Sequence, residues 1–310
     1  MIVQPAMKLP AGDASLATYV WSPEQRPRAI IQIVHGMCEH AGRYAGLAAQ
    51  LAAAGFAVVA HDQRGHGQTA AGPEDLGFIA ERDGWRLLLD DVKKVQAYGR
   101  TLWPDTQVIL LGHSMGSFVA QQFIAEQGGG LLGAVLSGSN GRPSALAKAG
   151  VWLAKLERWR IGPRGRSALL TKLGFGRMNK GIAAPRCNFD WLSRDNAMVD
   201  AYLADPLCGF PVATQFWIDL LEALDAIAGP AVIAGVPKAL PICLLSGEAD
   251  PVGEFGQGVR RLAVTYAAAG LTRVTLRLYP GARHEVFNET NRAEVVADLL
   301  AWCDTVAPPR

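Results

Sequence analysis

The sequence has few cysteines and none of the paired spacings that hold metal ions or disulfide networks. The five cysteines are an odd number and contain no CxxC pair; they are Cys38, Cys187, Cys208, Cys243 and Cys303. Such a widely spaced set is typical of free thiols in a reducing compartment. We therefore predict no disulfide framework and no metal site, and we expect the chemistry to need no metal or organic cofactor.

Long apolar runs and a strong excess of one charge are also missing. No stretch approaches the roughly 20 apolar residues that cross a bilayer, and the opening MIVQPAMKLPAGDAS lacks the charged start and apolar stretch of a secretory signal. The formal net charge is only +2 over 310 residues, which excludes a general polyanion binder. We expect a cytoplasmic protein, at most peripheral to a membrane, without a nucleic-acid partner.

Apolar residues make up half of the chain, which is enough for one large core and an inserted subdomain. In the first 140 residues short apolar runs alternate with helical patterns; examples are AIIQIV at 29–34, FAVVA at 56–60 and QVILL at 107–111. This rhythm is typical of βαβ units. It predicts an α/β fold with a mostly parallel central sheet flanked by helices.

The βα rhythm stops near residue 141 and returns near residue 228. Between these points the chain shows helical patterns and segments punctuated by proline and glycine, without a clear strand. We therefore predict a core made of residues 1–140 and 228–310, with a helical lid inserted at 141–227. The second part of the core then holds strands at 241–245 and 274–278 and a closing helix.

The pentapeptide GHSMG, residues 112–116, fits the GxSxG pattern of a nucleophile elbow. In that elbow small flanking residues allow a sharp strand-to-helix turn that exposes the serine hydroxyl. The pentapeptide follows the strand pattern QVILL and precedes a helical pattern at 117–126, as the elbow requires. We predict Ser114 as a nucleophile; the structural alternative is a tight glycine turn with an incidental serine.

A serine hydroxyl needs a neighbouring base, and the base needs a group that orients it. His284 stands in a loop after the last strand pattern and Asp250 follows PICLLSGEA, so the chain order Ser, Asp, His is that of an elbow-type hydrolase. We predict His284 as base and Asp250 as its orienting acid, with Glu248 as the nearest rival acid. The remaining histidines are expected to be structural: His35, His40, His61, His66 and His113.

An oxyanion hole needs backbone N–H groups aimed at the developing negative charge. Met115 directly follows the serine and supplies the first. The loop HGMCEH follows the strand pattern AIIQIV, so the N–H of Met37 is the natural second donor, and Gly36 allows close approach of the backbone to substrate.

Several motifs together resemble the monoglyceride lipase and lysophospholipase-like group of α/β-hydrolases, within the serine aminopeptidase S33 family, over nearly the whole chain. They are HGMCEHAGRY, HDQRGHG, GHSMG, SGEAD and YPGARHEVFNE. The resemblance implies the α/β-hydrolase fold, an oxyanion donor at Met37, and acid and base at Asp250 and His284. One departure is Thr69 where the family's HDxRGHGxS ends in serine. NFDWLSRD and YLADPLCGF also resemble the lid of bacterial members.

The activity implied by this resemblance is hydrolysis of glycerol monoesters, lysophospholipids or related lipidic carboxylic esters through an acyl-enzyme. Two other interpretations stay open. A peptidase that removes N-terminal residues would share every motif, and a ligand-binding member of the fold would keep the architecture without turnover.

Positive charge is concentrated on the first half of the predicted lid. Residues 141–180 contain ten Lys or Arg and one acid, Glu157, for a net +9, so the rest of the chain carries −7. A helix predicted at 144–160 places apolar side chains on one face: Ala149, Trp152, Leu156 and Trp159. That face either docks on an anionic bilayer or packs inward over the active site.

The lid also supplies apolar candidates for an acyl-binding pocket. Core packing is the alternative for each of them. The candidates are Trp152, Phe189, Trp191, Phe216 and Trp217.

Overall fold

Eight strands form one sheet in the computed structural model, which describes residues 7–141 and 145–309. The strands are β1 Met7–Ala11, β2 Ala14–Trp21, β3 Ile30–Val34, β4 Ala57–His61, β5 Val108–His113, β6 Leu131–Ser137, β7 Ile242–Gly247 and β8 Val274–Tyr279. Their order across the sheet is β1-β2-β4-β3-β5-β6-β7-β8. Neighbours from β4 to β8 run parallel, whereas β1 and β2 are antiparallel to their neighbours. The predicted α/β fold with a mostly parallel sheet is confirmed.

The antiparallel pair β1 and β2 is not predicted from the sequence. β1 is a five-residue edge strand that contains Pro10. Proline is tolerated at a sheet edge, where its missing N–H interrupts no ladder, but it weakens the strand pattern in the sequence.

Ten helices surround the sheet or lie between its strands in the described part of the chain. They are α1 Ala45–Ala53, α2 Gly84–Leu102, α3 Met115–Gln127, α4 Ala145–Ile161, α5 Ala168–Phe175, α6 Asn196–Ala204, α7 Thr214–Ile227, α8 Pro230–Gly235, α9 Gln257–Ala268 and α10 Arg292–Val306. None of these described helices is long and apolar enough to cross a bilayer.

Both faces of the sheet are buried, which explains the continuous apolar strand patterns. Along β5 the side chains of Val108 and Leu110 join one core cluster, and those of Ile109 and Leu111 join the other. The first cluster is covered by α2, α3, α7 and α9, and the second by α1 and α10. This period of two distributes the side chains of each strand over the two faces. Because β3 to β8 run parallel, their carboxyl ends lie at one edge of the sheet, where the predicted catalytic loops begin.

The chain between β6 and β7 is helical and contains no strand in its described residues, from 145 onward. We call residues 141–227 the insertion; its limits as a domain remain a proposal. Arg142 and Ser144, assigned to its basic cluster and its first helix, lie outside the described residues. The last helix of the insertion, α7, also packs on α2 and α3 and so connects it to the core.

The apolar face predicted on α4 points outward. The exposed fractions are 77% for Trp152 and 84% for Trp159, whereas Ala154 on the opposite side is fully buried. Gly150 and Ala154 are small and lie one turn apart, and a Cβ on Gly150 would lie 3.2 Å from Leu221 of α7. Because α4 approaches α7 through these small residues, its tryptophans are left on the far side. The interpretation in which they pack inward is wrong.

Candidate active site

Ser114 occupies a sharp turn between β5 and α3. Its backbone has φ 52° and ψ −121°, a conformation that L residues rarely adopt and that tends to be kept at functional sites. A Cβ on Gly112 would collide with the carbonyl oxygen of Gly116, and one on Gly116 with that of Val34. The two glycines of GHSMG are therefore required by packing, and the turn has the form of a nucleophile elbow.

Asp250 and His284 form a buried hydrogen-bonded pair. Nδ1 of His284 lies 3.0 Å from Oδ1 of Asp250, and the same oxygen accepts the N–H of Val252 at 2.8 Å. Asp250 is fully buried and His284 is 2% exposed. Burial lowers the pKa of His284, but the charge and hydrogen bond of Asp250 outweigh it, and the pKa is raised above its ordinary value. The pair leaves Nε2 as the nitrogen available for proton transfer.

The imidazole of His284 lies beside the elbow. The N–H of Ser114 donates to the carbonyl of Ser137 at 2.9 Å. The next residue, Gly138, is so close to His284 that a Cβ there would lie 2.8 Å from Cε1 of the ring. The ring of His113, which precedes the serine, is 4.8 Å from that of His284 between centroids. The three predicted catalytic residues follow β5, β7 and β8, so they lie at the carboxyl ends of parallel strands of the same sheet.

The backbone N–H groups predicted for the oxyanion hole have no acceptor in the described part of the chain. Those of Met37 and Met115 donate no hydrogen bond to any described residue. Gly36 places its loop against the serine, because a Cβ on Gly36 would lie 3.1 Å from Cβ of Ser114. The N–H of Gly36 itself donates to Oε1 of Glu39 at 2.6 Å, which holds the loop in place.

Residues 35–39 are called the oxyanion loop after their predicted role, residues 280–285 the histidine loop, and the two together the catalytic loops. A buried charge network joins the oxyanion loop to the histidine loop. Arg43 donates to Oε2 of Glu39 at 2.6 Å and, through both terminal nitrogens, to Glu285 at 2.7 Å. The hydroxyl of Tyr44 donates to Glu39 at 2.8 Å. Burial raises the pKa of Glu285, but Arg43 outweighs it and lowers that pKa to about 2. The bidentate geometry makes this ion pair strong and directional.

Sequence reasoning missed these positioning residues, although part of the signal is present. Glu39 and Arg43 are four residues apart in HGMCEHAGRY, and Glu285 directly follows His284. Their meeting depends on the fold bringing two distant loops together, which spacing alone does not reveal.

The other histidines are held in the core or at its border. His113 is buried, its Nδ1 lies 3.1 Å from Oγ of Ser137, and burial together with the charge of His284 lowers its pKa to about 3. Nε2 of His35 accepts the N–H of Gln63 at 2.9 Å. His61 and His66 are fully buried, and burial lowers the pKa of each to about 4. These neutral imidazoles act in packing.

The predicted pocket residues do not all share one environment, although Phe175 packs on both Trp191 and Trp217. The ring of Trp191 lies 5.0 Å from that of His284, so it borders the catalytic residues. Phe189 packs on Tyr202, whereas Phe216 and Trp217 are buried in α7. The pocket prediction for Trp152 is wrong, because the small-residue face of α4 packs on α7 and turns this side chain to solvent.

Part of the insertion is hydrogen-bonded to both catalytic loops; we call residues 187–209 the inner half. The hydroxyl of Tyr202 donates to the carbonyl of Cys38 at 2.8 Å, and the N–H of Gly209 donates to the same oxygen at 3.0 Å. The N–H of Glu285 donates to the carbonyl of Leu192 at 2.7 Å. Residues 145–175, which carry the exposed tryptophans, are called the outer half.

Several known proteins similar to this chain are named as lipases or esterases. The family model described as serine aminopeptidase, S33, matches residues 25–291. Monoacylglycerol lipase of Mycolicibacterium smegmatis is 29% identical, with 94% of this chain and 93% of the relative aligned. Human monoglyceride lipase is 30% identical, with 93% and 89% aligned.

Solved structures agree with these relatives. A thermostable carboxyl esterase from Bacillus coagulans, in complex with glycerol, superimposes with a TM-score of 0.90 at 28% identity over 97% of each chain. Monoglyceride lipase from Saccharomyces cerevisiae, at 20% identity and a TM-score of 0.76 over 99% of this chain and 97% of its own, shares the fold. The chain is a member of the serine aminopeptidase S33 family of α/β-hydrolases.

Proposed function

We propose that this hydrolase cleaves carboxylic esters of glycerol or related lipids through an acyl-enzyme on Ser114. The observation that carries the proposal is the buried Asp250–His284 pair placed beside a strained serine elbow. The names of its relatives, monoacylglycerol lipase and carboxyl esterase, support the ester class.

In the proposed mechanism Nε2 of His284 takes the hydroxyl proton as Oγ of Ser114 attacks the ester carbonyl. The N–H groups of Met37 and Met115 hold the tetrahedral oxyanion. His284 then gives its proton to the departing alcohol, and an acyl-serine remains. Water that loses a proton to His284 attacks the acyl carbon and releases the acid, which restores the serine hydroxyl.

Peptidase activity is the rival function, since the family description contains the word aminopeptidase. An aminopeptidase needs a carboxylate to hold the substrate's α-ammonium group. Glu39 and Glu285, the glutamates of the catalytic loops, are both bound to Arg43. Their engagement in this network favours the ester interpretation.

A substrate panel tests the proposal. The enzyme should cleave monoacylglycerols and p-nitrophenyl esters, and leave aminoacyl amides such as leucine p-nitroanilide intact. Ser114→Ala is the matched control and should lose turnover while its far-UV circular dichroism stays unchanged. Preferred cleavage of the amide, or esterase activity that survives in Ser114→Ala, would overturn the assignment.

We also propose that the outer half binds reversibly to an anionic lipid surface. Trp152, Leu156 and Trp159 form an exposed stripe on α4, and Leu169 and Leu173 on α5 are 47% and 61% exposed. Indole rings favour the headgroup region, and basic side chains nearby are attracted to anionic lipid.

The attraction is weaker than the count of +9 indicates, because several cations are paired. Lys148 and Lys155 bind the acids of α7, and Arg164 binds Asp75 of the core. Arg160 binds Glu157, and Arg166 donates only to the backbone carbonyls of Glu74 and Leu76. The cations of this stretch without an ion pair among the described residues are Arg158, Arg166, Lys172, Arg177 and Lys180. We therefore expect binding that is sensitive to salt and depends on the tryptophans as well as on charge.

Co-sedimentation with vesicles measures this binding. The protein should bind phosphatidylglycerol vesicles at low salt and bind phosphatidylcholine vesicles much less. Replacing Trp152 and Trp159 by alanine should strongly reduce binding to the phosphatidylglycerol vesicles, whereas Val264→Ala, at an exposed apolar residue on α9, should leave it unchanged. No binding to anionic vesicles at low salt would end this proposal.

A further inference from the structure

Three side chains with metal-binding atoms meet where the inner half touches the oxyanion loop. A ring nitrogen of His40, a carboxylate oxygen of Asp205 and the sulfur of Cys208 all lie within 4.8 Å of one another. His40 follows the oxyanion loop, and the other two residues follow α6, so segments far apart in the chain supply the group. No role in the proposed ester hydrolysis uses these side chains.

The donors are held in place but are not all committed to other partners. Nε2 of His40 lies 3.0 Å from Oδ2 of Asp205, and the buried Nδ1 has no hydrogen-bond partner among the described residues. Oδ1 of Asp205 accepts the N–H of Leu207, which fixes the carboxylate and leaves Oδ2 facing the histidine. The histidine side chain is 4% exposed and the aspartate side chain 20%, so the group is buried but open on one side.

The geometry points to a binding site for a divalent metal ion of the zinc type, held by His40, Asp205 and Cys208 with water in the fourth position. Nitrogen, oxygen and sulfur donors of this kind bind zinc at about 2.0 to 2.3 Å in a tetrahedron. Donor atoms bound to one zinc ion at those distances lie roughly 3.3 to 3.8 Å from each other. The three donor atoms here lie within 4.8 Å of one another, so they need to move by about 1 Å at most to bind one ion. A carboxylate and a thiolate also balance the charge of the ion.

The nearby positive charge of Arg43 does not prevent a metal ion from binding. Arg43 is a cation that acts electrostatically on both Asp205 and Cys208. Its charge is already balanced by two buried carboxylates, Glu39 and Glu285. Coordination forms the metal–sulfur bond as the Cys208 thiol proton leaves to solvent. No oxidant or reductant is required.

Metal binding would reinforce a contact that the protein already makes. The carbonyl of Cys38 accepts hydrogen bonds from Tyr202 and Gly209, which flank the Asp205 and Cys208 segment. A metal ion bound to His40 and to this segment adds a second link between the oxyanion loop and the insertion. Since the ion binds the folded state, it raises the thermal midpoint. This inference does not depend on which substrate the enzyme cleaves.

Cobalt is the probe, because tetrahedral cobalt with a thiolate ligand gives visible bands and an intense near-ultraviolet charge-transfer band. Titration of the metal-stripped, full-length protein with Co²⁺ should reach saturation at about one equivalent, and Zn²⁺ should bleach the bands. Cys208→Ser should lose the charge-transfer band. Cys187→Ser is the matched control, because Cys187 is a partly buried cysteine of the inner half outside the cluster, and it should retain the bands.

A second variant and a second measurement keep the test decisive. Asp205→Asn can still accept a hydrogen bond from His40, and should fold normally yet bind Co²⁺ at least tenfold more weakly. Zn²⁺ should raise the thermal midpoint of the wild-type and Cys187→Ser proteins, and chelation by EDTA should reverse the shift. Absence of cobalt bands in the wild type, or bands that persist in Cys208→Ser, would refute the site.

Discussion

The two halves of the insertion meet different surroundings. The inner half donates to or accepts from both catalytic loops, with Tyr202 and Gly209 bound to the Cys38 carbonyl and Leu192 bound to Glu285. The outer half packs on α7 through Gly150 and Ala154 and exposes its tryptophans. One inserted segment therefore divides into a part that positions the site and a part that faces outward. We therefore expect substitutions in or beside the inner half to lower kcat more than substitutions in the outer half.

The largest loss of activity should come from substitution in the Asp250–His284 pair, which the inner half contacts. Asp250→Asn keeps the size of the side chain but no longer stabilises the imidazolium or selects the productive tautomer, so kcat should fall by about 10³- to 10⁴-fold. Initial rates with a short p-nitrophenyl ester measure this. Glu248→Gln is the control, because Glu248 is half-exposed and pairs with Arg260; an equal loss there would transfer the acid role to Glu248.

The pH dependence of activity is a second test of the Asp250–His284 pair. His284 must be neutral to act as a base, and Asp250 raises its pKa. Activity should therefore fall as pH drops through a value above about 6.5, the ordinary histidine pKa. In Asp250→Asn the acid limb of kcat/KM should move to lower pH. A limb that stays in place in this variant would mean that another group titrates.

The next largest loss of activity should come from substitution of Glu39, in the oxyanion loop that the inner half contacts. Glu39→Gln weakens the acceptor for the Gly36 N–H and removes one of the two charge partners of Arg43, so the Met37 N–H is held less firmly in its direction. We expect kcat to fall by about 10- to 100-fold. KM should change less than threefold. A change confined to KM would show that Glu39 shapes substrate binding instead.

Substitutions within the inner half itself should lower kcat by a smaller factor. Tyr202→Phe removes one of two hydrogen bonds to the Cys38 carbonyl, while Gly209 keeps the other. Because a net hydrogen bond contributes about 0.5 to 1.5 kcal/mol, kcat should fall by about two- to tenfold. Steady-state kinetics with the same short ester measure it. An unchanged kcat would show that the inner half does not position the oxyanion loop.

The smallest effect should mark the outer half. With Trp152 and Trp159 both replaced by alanine, turnover of a short soluble ester should stay within about twofold, and the free energy of unfolding within about 0.5 kcal/mol, because exposed side chains contribute little. Urea denaturation and initial rates measure both. A loss comparable to that of Tyr202→Phe would erase the distinction between the halves.

The sequence predicts the core well because its strands are buried on both faces and its elbow needs small residues. Ser114, Asp250 and His284 were predicted as the candidate catalytic residues from motif and chain order, and the Asp250–His284 hydrogen bond is compatible with that prediction. The Glu39–Arg43–Glu285 network and the His40–Asp205–Cys208 group were not, since each depends on loops joined only by the fold. Periodicity also did not predict which face of α4 is exposed. The helix has large apolar residues on one side and small residues on the other, and either side could pack against the protein.

Labelling with a fluorophosphonate tests the central claim most directly. The probe reacts only with a serine activated by its base, so intact-protein mass spectrometry should show one adduct, and peptide mapping should place it on Ser114. His284→Ala should react far more slowly, because the base is gone. Failure of the wild-type protein to react, or an adduct on any other residue, would contradict the account.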